Sequence, residues 1–195
     1  MSRYNALNVK PRQRIFVAVE GSWEQSFVKW LSLLCDQHNA HLHLDVANAC
    51  GGDPLAIVEC AVRDRKLRAR KGPYIAAIIL LDDDQLDQNQ NRGTQALQLA
   101  QAEGLDLMFQ HPNFEGLMLQ LHAGYETRRP PPNRALPELQ RVWPEFEKRK
   151  VAGIDISQRF TIEDLRRAGN HNNDIARLRR DNQDERVASI KVRVA

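Results

Sequence analysis

Residues 78–84 read IILLDDD, an apolar, strand-like run that ends in three consecutive carboxylates. Like charges packed side by side repel one another unless a positive group sits among them. In extended backbone, residues two apart point the same way, so Asp82 and Asp84 converge while Asp83 turns aside. A second apolar run, IFVAV at 15–19, ends in Glu20. If the two runs are neighbouring strands of a parallel sheet, Glu20, Asp82 and Asp84 meet at its carboxyl edge, where open α/β sheets place their sites. Such an oxygen-only set suits Mg2+ or Mn2+, held partly through water, rather than zinc. The competing account is a solvated acidic turn that caps the next element, with Glu20 on the surface.

Glu115 is the next candidate. It falls in the first turn of a helix begun by Pro112-Asn113. Asn113 suits a cap and an acid there suits the helix dipole; the sharper role is a further ligand or a general base. His111 reads as a turn residue or a phosphate donor. His122 ends an apolar helical run and reads as packing, and His41 and His43 read as strand surface. The stretch VRDRKLRARKG at 62–72 holds Arg63, Arg65, Lys66, Arg68, Arg70 and Lys71. Cations favour a helix C-terminus, but six in nine residues exceeds that need, so the stretch is a candidate for phosphate-backbone contact. Arg166, Arg167, Arg177, Arg179 and Arg180 allow the same two readings. No aromatics are interleaved with these charges, so base stacking is not indicated.

The elements that must position these groups alternate. IFVAV is a buried strand, followed by a helical face of Trp23, Phe27, Trp30, Leu31 and Leu34. HLHLDVAN at 41–48 alternates as a second strand. Gly51-Gly52-Asp53-Pro54 launches a helix to about Lys71, with Asp53 as cap and Pro54 where its missing N–H costs nothing. Tyr74–Leu81 is a third strand, residues 94–102 a helix, Leu105–Phe109 a fourth strand, and a helix comes after it. This β-α repetition predicts an α/β domain over 13–127, a mostly parallel four-stranded sheet covered by helices. RRPPPNRALP at 128–137 reads as a linker. Helical signals occupy 138–182, at 137–151, at 162–168 behind a capped Thr161, and at 171–180; 183–195 reads as a tail or an edge strand.

The chain of 195 residues carries 28 Lys and Arg against 25 Asp and Glu, and 42% of it is hydrophobic. Residues 1–122 hold 12 basic and 14 acidic residues, whereas 123–195 hold 16 and 11. An acidic site beside a basic tail suits a metal-dependent enzyme of polyanions, and equally an ordinary soluble protein. Cys35, Cys50 and Cys60 form no C-x-x-C and no even framework, which predicts buried thiols in a reducing, cytoplasmic setting. No apolar stretch approaches membrane length, and the start has no apolar signal region.

Three segments taken in order, VEGSWEQSFVKWL, IILLDDD and HPNFEGLMLQLH, resemble the RloB-like branch of the Toprim superfamily over about residues 13–123. The resemblance implies a Toprim-like sheet and Mg2+-dependent phosphodiester cleavage, with Glu20, Asp82 and Asp84 as metal ligands, and it favours a functional role for Glu115. It also implies anti-phage or abortive-infection defence beside a separate ATPase, because this chain holds no G-x-x-x-x-G-K-[ST]. Two departures stand out. Gln25 occupies a position where relatives carry a second Glu, with Glu24 just before it, and no aromatic comes after the Phe-Glu pair in NFEGLML. They keep open a second reading, a non-catalytic module that docks a partner ATPase or nucleic acid. Primase or topoisomerase work fits less well, for want of zinc-finger spacing and a second large domain. DNA or RNA as substrate, and a homo-oligomer, are both compatible with the sequence.

Overall fold

Four short apolar stretches pair into one all-parallel sheet. They are β1 (Gln13–Val19), β2 (Leu42–Asn48), β3 (Ala76–Asp82) and β4 (Asp106–Gln110), in the order β2-β1-β3-β4. The computed structural model describes residues 11–49, 51–88, 90–146 and 156–180. Its helices are α1 (Ser22–Gln37), α2 (Pro54–Arg68), α3 (Asp84–Gln88), α4 (Gln90–Ala102), α5 (Phe114–Gln120), α6 (Pro132–Val142), α7 (Ile156–Arg159), α8 (Ile162–Gly169) and α9 (Asn173–Arg180). The α/β expectation therefore stands, with a helical C-terminal region. No helix among the described residues is long and apolar enough to cross a membrane.

Alternation along each strand divides the core into two layers. Ile15, Val17, Val19, Ile78, Leu80 and Met108 pack with α1, α5 and the C-terminal helices. Phe16, Ala18, Ala77, Ile79 and Leu81 face Ile57, Val58 and Ala61 of α2 and Ala96 and Ala100 of α4. Burial on both faces explains why these strands read as continuous apolar runs. Asp53 caps α2 by accepting from the amides of Leu55 (3.0 Å) and Ala56 (3.2 Å). At α8, Thr161 and Asp164 form a reciprocal capping box.

The segment 128–137 is not a spacer throughout. Its last six residues are the first half of α6, with Pro132 in the first turn, where a proline removes no helix bond. Leu139 of α6, Trp143, Phe146, Phe160 and Leu165 join the cluster that contains β1 and α1. Trp23 of α1 stacks on Phe146 with centroids 4.6 Å apart and meets Trp143 edge-on at 6.3 Å. The C-terminal helices thus finish the same core. The five-residue α3 and four-residue α7 carry too little periodicity to be read from sequence. The helix expected over 137–151 stops at Val142, where Trp143 leaves helical backbone and a turn takes the chain to Phe146; residues 147–151, Cys50 and the tail at 183–195 lie outside the described residues. Cys35 is a buried thiol, pushed up to about 11 by burial and then by Asp36.

One half-buried polar network joins β1, β2 and α2. Asp45 accepts from Arg14 Nη2 (2.7 Å), Tyr74 Oη (2.6 Å) and Arg68 Nη1 (2.7 Å). Burial opposes its charge, but the bonds from Tyr74, Arg14 and Arg68 prevail and hold the carboxyl below its ordinary value. Asp45→Ala is expected to cost about 2 kcal/mol at neutral pH. Because the folded carboxyl titrates below the unfolded one, that stabilisation is complete above about pH 4 and fades as pH falls further. Urea unfolding of wild type and Asp45→Asn will show a gap that narrows in acid.

Candidate functional site

β1 and β3 are neighbours, with Ile15–Ala18 beside Ala76–Ile79. From this pair the chain winds outward in opposite directions, to β2 and to β4. The crevice at their carboxyl ends is therefore the topological switch point of the sheet. Glu20 comes directly after β1 there, and Asp82 closes β3.

Asp82 lies on the face defined by Ile78 and Leu80, towards α1 and α5. Its Oδ1 is buried without a hydrogen-bond partner. Burial first, and then the charges of Glu24, Glu20, Asp84 and Glu115, push its carboxyl up to about 8. Five acids from the ends of two strands and the starts of three helices thus share one electrostatic neighbourhood. Among the described residues no three His, Cys, Asp or Glu side chains stand ready-made as a metal shell.

Each acid is delivered by a local device. Glu20 Oε2 accepts from Gln85 Nε2 at 2.8 Å. Gly51, at φ +68°, brings its backbone against Glu20; a Cβ there would lie 3.8 Å from Glu20 Oε1. Asp83 and Asp84 are tied by their amides to the carbonyls of Gln110 and Pro112, both at 3.1 Å. Asp83 turns to His111, with Oδ2 2.7 Å from Nδ1, while His111 Nε2 lies 3.3 Å from Asp174 Oδ2 of α9. Glu115 is 3% exposed in the first turn of α5, whose cap Asn113 accepts from the Gly116 amide at 3.2 Å. Gly116 permits that turn to rest on the His111–Pro112 loop, since a Cβ would run into the His111 carbonyl and lie 2.6 Å from Pro112 Cδ.

Two residues of the crevice were not singled out from sequence. Glu24, 9% exposed, sits in the first turn of α1, and its Oε2 would be 2.7 Å from a Cβ on Gly21. The available signal was an acid at the third helical position after a strand end. Gln110, 2% exposed, pairs in register with Asp82, and its Nε2 is buried without a partner. Only the register reveals it.

The basic stretch is elsewhere. α2 starts beside the carboxyl end of β2 and runs back to the amino edge, where Arg14 of β1 reaches the Gly72 carbonyl at 2.7 Å. Arg65 and Lys66 pair with Glu103 (3.2 and 2.8 Å), and Arg68 pairs with Asp45. Arg63 approaches Asp64 at 3.7 Å; Arg63, Arg70 and Lys71 are exposed. The stretch therefore does not border the acids, and four of its six cations are in ion pairs. Arg166 pairs with Glu163, and Arg167 with Asp164 and Glu126; the side chains of Arg177, Arg179 and Arg180 lie outside the described residues. His122 packs edge-on against Phe160 at 4.8 Å, and burial lowers its pKa. His41 and His43 are exposed.

Comparison of the chain with family models, with curated proteins and with solved structures finds no match. The donor chemistry of the crevice itself is the guide. Its acids are all oxygen donors, and Asp82 Oδ1 is an orphaned buried acceptor, which together fit a hard divalent cation.

Two measurements probe this geometry. Asp82 keeps its proton to about pH 8 when folded and to about pH 4 when unfolded, so wild-type stability falls as pH rises between those values. Asp82→Asn cannot ionise; in EDTA it is expected to melt roughly 5 °C above wild type at alkaline pH, a gap absent in acid by calorimetry. Gly116→Ala is expected to cost about 3 kcal/mol in urea unfolding, because its Cβ meets backbone rather than a flexible side chain.

Proposed function

We propose that the protein is a Mg2+- or Mn2+-dependent nuclease that cleaves phosphodiester bonds at the carboxyl edge of β1 and β3. The observation that carries this reading is Asp82 Oδ1, buried and unpartnered among the charges of Glu20, Glu24, Asp84 and Glu115. Like charges gathered in a crevice, at a cost to the fold, mark a functional site more often than a structural one. Glu20, Asp82 and Asp84 would hold the cation. When bound, it supplies a water of lowered pKa and an electrophilic centre for a phosphoryl oxygen. Gln85 fixes the orientation of the Glu20 carboxylate. Glu115, at the start of α5, would accept a proton from the attacking water. Glu24 adds negative charge that draws the cation in. The RloB-like resemblance of the sequence extends the proposal to anti-phage defence beside a separate ATPase in the cytoplasm, a setting in which Cys35 stays a reduced thiol.

A second reading has its own observation. Arg63, Arg70 and Lys71 are exposed at the far edge, away from the acids, which suits a module that binds a polyanion or docks an ATPase without cutting. One experiment separates the two. Labelled DNA and RNA strands are incubated with wild type and Asp82→Asn, in EDTA and in Mg2+ or Mn2+, beside thermal melts. The nuclease reading expects cleavage only with metal, a rate at least about 100-fold lower in the variant, and a metal-induced rise in melting temperature confined to wild type. Strand binding with neither cleavage nor a metal shift would establish the binding module instead.

A further inference from the structure

We infer that Gln110 is a phosphate-binding residue of this site, its Nε2–H donating to a non-bridging phosphoryl oxygen seated beside Asp82; the inference rests on the metal-site reading above. Gln110 ends β4 in register with Asp82, and partners in a parallel ladder send their side chains to the same face. Met108, two residues earlier, packs with Ile78 and Leu80 on the α1 and α5 side. Gln110 and Asp82 therefore continue that face into the crevice. The residue is only 2% exposed, and its Nε2 has no partner. The neighbouring Asp82 Oδ1 has none either.

One of these atoms donates and the other accepts, yet they do not satisfy each other. A ligand that answers both must accept a hydrogen bond on one side and bring positive charge to the other. A phosphate oxygen bound together with a divalent cation does both. The feature is otherwise hard to account for in this fold. A buried donor without a partner destabilises the protein, and a methionine of similar length would pack at the same place without that loss.

The test uses thermal melts of the full chain, wild type against Gln110→Met and Gln110→Glu, in EDTA, in Mg2+, and in Mg2+ with inorganic phosphate. Gln110→Met is expected to melt at or above wild type in EDTA, to keep the Mg2+ shift, and to bind phosphate about tenfold more weakly. Gln110→Glu, which puts a charged acceptor where the donor was, is expected to lose the phosphate shift altogether. An equal phosphate shift in wild type and both variants overturns the role of Gln110 while leaving the cation site intact. A clear fall in the EDTA melting temperature of Gln110→Met identifies a structural amide and overturns it as well. Absence of any Mg2+ shift in wild type removes the metal reading and this inference with it.

Discussion

The mutual repulsion of carboxylates at the meeting of β1 and β3 is the constraint around which the rest of the molecule is organised. A parallel sheet sends β1 and β3 to the same edge, and their terminal acids arrive together whether or not the pairing is favourable. Part of the repulsion is offset by geometry. The helices that come after β1 and β4 begin at this edge, and their amide ends carry partial positive charge. Glu24 and Glu115 occupy the first turns of those helices. Asp82, at the end of a strand, has no such turn of its own, and burial with the neighbouring charges pushes its carboxyl up to about 8.

The order of elements was readable because β1, β3 and β4 centre on short apolar runs and β2 alternates, with Gly, Pro or Asp between the elements. The cap of α2 at Asp53 and the capped start at Thr161 were equally readable, since both depend on neighbours within three residues. Prolines were the weak point. Four of them in 128–137 suggest a break, yet one begins α6 and another lies within it. A proline stops a helix that is already running but does not prevent one from starting.

The site was legible only in part, for a related reason. Glu20, Asp82, Asp84 and Glu115 stand at element ends, which hydrophobic periodicity locates well. Glu24 sits beside the position that comparison of motifs draws attention to, and one residue along a helix is a different direction in space. Gln110 has no charge and no motif; its place depends on which residue of β3 it faces across the ladder. The basic run of α2 shows the opposite limit. Its charges look available in sequence because Glu103 and Asp45, which pair with them, are more than twenty residues distant.

Trp23 stands next to Glu24 in the first turn of α1, and its ring rests on Phe146 and Trp143 beyond α6. The turn that brings one acid into the crevice is therefore seated on aromatic residues made more than a hundred positions later. During synthesis on the ribosome, the four strands can emerge and pair well before that seat exists. The first turn of α1 therefore reaches its finished seat only after residue 146 has been made.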